Sequence, residues 1–548
     1  MKTPKNALLV AFVALAALVA LAALAGCDGG RSDAWDRSRV LLGPVPFKDQ
    51  LAWIDGARDR VVLVEVGATP RVRTVPVGRR ALWAMPVRAG GHERLAVITR
   101  GEEARARGQA DEPPGLYLVD IESPGAPAIR YEIGSPFDRL AIAEDGSVAV
   151  AYFSAAGPDA DGLFRNPNEL AIVKLAAPPS DDAAAPNPLL RTVRSFGAAP
   201  LGVTLSPPMV VPGAPDATPR TFAFVLAPSS VTVLDATYPE RREVTVRLSL
   251  DSSAATVTPR EVVFAPAACA AYLRADGARD VLQILLAFEA PTEGTANDND
   301  YQPALAELGA GGAPADVAVY DDAAGVRRVL VATPGTQELT VIEARTGQFV
   351  SVNVGDPIDR VLLLPANDPA NPPRVAVLAS VGARGERVHI VDLSRIGEEL
   401  VPPEVHTLSL EAPVFDVVAV PNRELVMVVH DSARTVLGLL DVAAATVAPL
   451  EGAGRLDSFD FSAGGEYLVG ATRGIARVGT VDLRNLHPED VRLDDLPAQV
   501  FALASGAIVV DHGDPFGRIT LLPHAGARRD EAVVLSGFLL SGLLDEEL

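Results

Sequence analysis

From residue 39 onward the chain is a series of short apolar runs, four to eight residues each, rich in Val, Leu and Ile and often alternating with polar positions. Gly, Pro, Asp and Asn separate the runs. A hydrophobic period of two bounded by turn residues predicts β-strands. No sustained helical periodicity interrupts the series before the C-terminus. There Leu535, Phe538, Leu539 and Leu543 fall near helical spacing ahead of an acidic end. Residues 526–548 are therefore expected as an amphipathic helix docked on the strands, or as a last strand with a tail.

The strands repeat as a group, at a spacing of roughly 40–60 residues. Glu132-Ile133-Gly134-Ser135-Pro136-Phe137-Asp138-Arg139 runs into the apolar Leu140-Ala141-Ile142-Ala143. Asn353-Val354-Gly355-Asp356-Pro357-Ile358-Asp359-Arg360 runs into Val361-Leu362-Leu363-Leu364 in the same order. Looser copies precede Leu201 and Val414. A second recurring piece is an apolar strand ending in aspartate, at Asp120, Asp235, Asp392 and Asp441, with Glu343 as a variant. Repetition of Asp138-Arg139 and Asp359-Arg360 points to a structural role, an arginine bonding turn carbonyls or an aspartate of the next repeat. The alternative is a charged ring around a channel mouth.

Four strands per unit in this order resemble β-propeller blades, and the phrasing of strand, Asp, turn, strand, Val-Gly, Pro, apolar strand resembles the YVTN/lactonase-like and PQQ-like propeller repeats. The resemblance implies an all-β fold, a single propeller of four-stranded blades over residues 39–525. Candidate inner strands begin near 79, 136, 199, 258, 315, 357, 413, 456 and 499, with more strand material at 39–77. That makes nine or ten units, whereas rings usually have about four to eight blades. Eight blades are expected, seven being the next choice and two smaller rings the alternative.

The N-terminus is of another kind. Lys2 and Lys5 precede an uncharged run from Ala7 to Ala25, which ends in Leu24-Ala25-Gly26-Cys27. A basic start, an apolar stretch and small residues make a secretory signal. The last four residues resemble the bacterial lipobox. That resemblance implies cleavage after residue 26, a diacylglycerol on Cys27 and an acylated amino group. A run of 19 uncharged residues could also span a bilayer uncleaved. A plain anchor does not require the cysteine, so residues 1–26 are read as a lipoprotein signal peptide and Cys27 as the lipidation site. Residues 27–38 are polar and form a tether reaching roughly 35–40 Å when extended. Asp28 would favour inner-membrane retention under the enteric rule. The expected location is an envelope membrane, on its periplasmic side or at the cell surface.

The formal net charge is −22, or −24 once Lys2 and Lys5 are removed. Such acidity argues against nucleic acid and against adsorption on anionic lipid, leaving the lipid anchor as the membrane attachment. There are two cysteines. With Cys27 lipidated, Cys269 has no intrachain partner; it lies in an alanine run and reads as a small buried apolar side chain.

No G-x-S-x-G, H-E-x-x-H, C-x-x-C or phosphate-loop pattern occurs. The seven histidines are scattered, although His430-Asp431 and Asp511-His512 each follow an apolar strand that could end at a channel mouth. Three long insertions, 101–114, 154–168 and 290–304, are assigned to one face and hold nine acids against three bases, a net of −6. Among them Asp159, Asp161, Glu293, Asp298 and Asp300 offer oxygen ligands for a cation such as Ca²⁺. The insertions 176–188, 209–219 and 365–373 are assigned to the opposite face. Loops on a rigid scaffold commonly carry binding function. The expected function is a lipid-anchored, non-enzymatic protein-binding or scaffold module with an envelope protein partner. It is analogous to the propeller lipoprotein of the outer-membrane barrel-assembly machinery. The alternatives are a lactonase-like hydrolase with a metal in the channel and a purely structural envelope protein.

Overall fold

The computed structural model describes residues 41–540 apart from 68, 103–109, 124, 156–164, 177–187, 195, 197, 250–256, 292–298, 365–374, 397–399, 433 and 453. The signal peptide, Cys27, the tether, and Asp159, Asp161, Glu293 and Asp298 lie outside the described residues.

Among the described residues, forty strands, from β1 (Leu41–Phe47) to β40 (Val533–Ser536), fall in chain order into ten four-stranded sheets. Each sheet is an antiparallel meander of four consecutive strands. Blade 4 shows how pattern becomes position. Its middle strands, β14 (Phe222–Ala227) and β15 (Ser230–Asp235), are buried at every residue. Its inner strand β13 (Gly202–Leu205) and outer strand β16 (Val244–Arg247) are only partly covered. A middle strand is covered on both faces by the two neighbouring blades, so it reads as a continuous apolar run rather than an alternating one.

Ten apolar clusters fill the gaps between blades, one at each junction. The last joins the chain's two ends. Leu51 and Trp53 of β2 (Gln50–Asp55) and Val62 and Val64 of β3 (Arg60–Glu65) pack against Val509, Ile519, Phe538 and Leu539. The Trp53 and Phe538 rings are 4.8 Å apart. Arg60 Nη2 donates to the Leu539 carbonyl at 2.7 Å, and Ser505 N–H to Asp49 Oδ1 at 2.7 Å. Every blade thus packs on its two chain neighbours and the tenth on the first, which makes one closed ring and no pair of smaller ones. Closure is by face-to-face packing, since no blade mixes strands from both ends.

The propeller of four-stranded blades is as expected, but it has ten blades rather than eight. Inner strands begin at Leu41, Ala81, Arg139, Gly202, Thr258, Asp316, Arg360, Val414, Ser458 and Gln499, so every unit counted from the pattern is a blade. Blade 5 lacks the recurring glycine yet is complete. Its first turn passes through Cys269, which is buried and holds φ at 49°. Residues 533–536 form the outer strand of blade 10, so the ring extends beyond residue 525.

An aspartate closes five of the ten third strands, and it has a local purpose. Its Oδ1 accepts backbone N–H groups two or three residues on: Glu122 and Ser123 at Asp120, Thr237 and Tyr238 at Asp235, Ser394 at Asp392 and Ala444 at Asp441. These Asx turns start the hairpin to the outer strand.

Candidate functional site at the channel mouth

Each inner strand runs from the face that bears the links between blades to the opposite face. The first, or upper, face also bears the turns between second and third strands. The lower face bears the other two turns of each blade. Residues 101–114 join β6 (His92–Thr99) to β7 (Gly115–Asp120), and 154–168 join β10 (Val148–Tyr152) to β11 (Glu169–Lys174), so both lie on the upper face. The third insertion does not. It joins β19 (Val281–Phe288) to β20 (Tyr301–Leu308), the third and fourth strands of blade 5, and belongs to the lower face. Of the described acids in these insertions, Glu102, Asp111 and Glu112 stand at the upper face and Asp300 at the lower.

Asp300 ends this insertion and is buried. Its Oδ1 accepts from Arg220 Nη1 at 2.6 Å and from Arg241 Nη1 at 2.5 Å. Asp235 Oδ2 lies 3.7 and 3.8 Å from the same two groups. Both guanidiniums stand over the Tyr238 ring, 5.3 and 4.4 Å from its centre. Burial alone would raise the Asp300 carboxyl, but the hydrogen bond and charge of Arg220, then Arg241, hold it below the usual carboxylate range. In Asp235 burial outweighs the arginines and the pKa is raised. Asp300 is thus a cross-blade ion-pair partner. Two guanidiniums occupy the positions a cation would need.

The repeated Asp-Arg pairs lie at the upper end of inner strands. Asp138 Oδ1 accepts the Ser154 N–H at 2.8 Å. Asp359 accepts Val381 N–H and Gly382 N–H, each at 2.7 Å. Asp457, which the repeats did not single out, accepts Arg473 N–H at 2.5 Å in the same position of blade 9. Arg139 Nη1 donates to the Asp138 carbonyl at 2.9 Å, a turn-carbonyl contact of the kind expected for these arginines. Other inner-strand acids tie one blade to the next. Asp316 Oδ2 accepts Val361 N–H at 2.7 Å, and Asp460 Oδ2 accepts Ala502 N–H at 2.9 Å. Burial raises the pKa of both.

His430 and His389 are buried, and burial lowers the pKa of each. His430 Nδ1 donates to the Ala412 carbonyl at 2.9 Å. Among the described residues no group of three or more His, Cys, Asp or Glu is arranged to hold a metal ion.

A different cluster is open to solvent on the upper face. Phe415, on inner strand β29 (Val414–Ala419), is 41% exposed. The Arg455 guanidinium stands 4.7 Å from its ring centre. Asp431 lies 3.7 Å from Arg455 and is ion-paired with Arg384 of the preceding blade. Leu496 and Phe516 are also exposed on this face, at 48% and 45%. Only Asp431 of this group had been singled out from the sequence.

These features define the class: a single-ring β-propeller with a solvent-exposed aromatic and arginine cluster at its upper mouth. No protein-family model and no curated relative matches the sequence. Solved structures similar to it include a dihydro-heme d1 dehydrogenase, NirN, in complex with DHE. It shares 12% identity and a TM-score of 0.40, over 84% of this chain and 79% of that one. Saccharomyces cerevisiae Sqt1 gives 8% identity and 0.39 over 68% and 91%. A eukaryotic initiation factor gives 11% and 0.45 over 89% and 97%. No function is carried over from them.

Proposed function

We propose that this protein is a lipid-anchored envelope propeller acting as a non-enzymatic protein-binding or scaffold module, held through Cys27 and offering its upper face to an envelope protein. The observation that carries the reading is the Phe415–Arg455–Asp431–Arg384 cluster. Aromatic side chains, Phe included, and arginine are enriched in protein interfaces, and here an inner strand of a closed ring fixes the aromatic one. The acids at the inner strands support a binding role over catalysis. Their carboxylate oxygens hold backbone amides of the blades. The net charge of −22 disfavours nucleic acid as the partner.

The test is co-purification from intact cells with the anchor preserved, comparing wild type with a Phe415→Ala, Arg455→Ala double variant. The variant should lose the captured protein by at least about tenfold, as expected for hot-spot residues. Equal recovery with both chains, or no specific capture by the wild type, would reject the reading.

A further inference from the structure

We infer that the outer edge of blade 6, strand β24 (Phe349–Asn353), takes up an extended peptide segment of another protein as a fifth strand. Among the described residues each blade ends in an outer strand that pairs on one side only. The other side is a row of unpaired main-chain groups, a template for a further strand unless proline, charge or a bulge blunts it. Eight of the ten outer strands carry proline or a charged residue, among them Pro303 in β20, Arg247 in β16, Pro449 in Thr446–Glu451 and Pro488 in His487–Arg492. Only β24 and β40 carry neither. Around β24 the unguarded run is longer than the strand itself: from Thr346 to Gly355 there is no charge and no proline.

The ladder inside blade 6 shows which groups this edge presents. Val354 N–H donates to the Gln337 carbonyl at 2.9 Å, and Glu343 N–H to the Gln348 carbonyl at 2.8 Å. In an antiparallel pair the bonded positions recur at every second residue. Gln348, Val350, Val352 and Val354 therefore turn their main chain towards β23 (Glu338–Glu343). Phe349, Ser351 and Asn353 turn theirs outward, and these main-chain groups have no hydrogen-bond partner among the described residues. In β40, where Gly537 N–H donates to the Gly517 carbonyl at 2.7 Å, the same alternation turns only Val534 and Ser536 outward. β24 is thus the longer of the two unguarded edges.

These groups select the occupant. Donors and acceptors repeating at strand spacing are matched by an extended main chain, whose hydrogen bonds give strand addition its affinity. The side chains alongside supply specificity. Phe349 is 56% exposed and lies on the same face as its ladder partner Ile342, towards blade 5. Val350 and Val352 lie on the other face and are half-buried. An incoming segment therefore needs an apolar side chain beside Phe349 and neither proline nor charge where it pairs. A second copy of this chain fits less well. The edge is about 17 Å long and lies on the rim of a closed ring, so two rings meeting along it bury far less than the roughly 1,200 Å² of a stable interface. The rim site is independent of the upper-face cluster.

The experiment is selection of phage-displayed random dodecapeptides on the full chain, with calorimetry and hydrogen exchange on the enriched peptides made synthetically. Bound peptide should slow exchange at the amides of Phe349, Ser351 and Asn353. Ser351→Pro removes one outward N–H and spares the ladder to β23, since proline is tolerated where a strand's N–H faces solvent. It should weaken binding at least about tenfold, because the ring obstructs the added strand as well as removing a bond. Ser351→Lys keeps the N–H and places a guarding charge on the edge; it should also weaken binding, and it keeps the test decisive if circular dichroism shows Ser351→Pro unfolded. Phe415→Ala should leave peptide binding unchanged. The inference is overturned if no peptide is enriched, or if enriched peptides bind the folded Ser351 variants as well as wild type. Wild-type dimers in sedimentation velocity that Ser351→Pro abolishes would overturn it too, by making a second copy the occupant.

Discussion

Ring closure rests on a small patch where the chain's ends meet, so its loss should be felt far along the sequence. Trp53 and Phe538 are each 4% exposed and their rings touch at 4.8 Å. Replacing Phe538 with alanine removes a buried aromatic side chain, which costs about 3–5 kcal/mol. About 0.5–1.5 kcal/mol of that belongs to the ring pair and should appear as coupling in a Trp53→Ala, Phe538→Ala double-mutant cycle. Phe153→Ala is the control. Phe153 packs on Phe137 at the junction of blades 2 and 3, also at 4.8 Å. Both variants should lower the urea midpoint. They should differ in hydrogen exchange. Phe538→Ala should deprotect β2, β3, β38 (Ile508–Asp511) and β39 (Arg518–Leu522), whereas Phe153→Ala should act within blades 2 and 3. Loss of less than about 1 kcal/mol with unchanged exchange in those four strands would refute closure by this contact, given the cost expected of a buried aromatic.

Three further outcomes are expected. Asp300→Ala should remove the 2.6 Å partner of buried Arg220 while leaving it Asp216 at 3.3 Å and Asp235 at 3.7 Å, and should cost about 1.5–3 kcal/mol by thermal or urea denaturation, the worth of a hydrogen bond to a charged group; a cost under about 0.5 kcal/mol would refute the cross-blade role by the same reasoning. Asp511 has its carboxyl pushed up to about 6 by burial, against an ordinary 3.8. Because its folded pKa is the higher one, its contribution is fully present below about pH 4 and is lost as pH rises through 6. Asp511→Asn should therefore raise stability at pH 7 by up to about 3 kcal/mol and flatten the pH 4–6 slope in melting curves; an unchanged slope would count against it. Cys27→Ser should abolish labelling by a radioactive fatty acid and leave the precursor uncleaved, and a labelled serine variant would reject the lipobox reading.

What could be read from the sequence is what is decided locally. Alternating apolar runs form strands because backbone pairing and a covered face need no distant information. The terminal aspartates of the third strands announce their turns because each bonds N–H groups two or three residues away. Nine or ten candidate repeat units are legible for the same reason. Tertiary structure decided the rest. Blade number depends on how each wedge packs on the next and on whether residues 51–64 meet residues 509–539. The face taken by 290–304 depends on which strands flank it, and a loop's composition does not encode that. Asp300 shows the limit most clearly. In sequence it is one acid in an Asn-Asp run, equal to Asp298. Folding sets Arg220 against it from 80 positions away, and Coulomb attraction between buried charges then makes it a structural ion-pair partner instead of a solvated ligand.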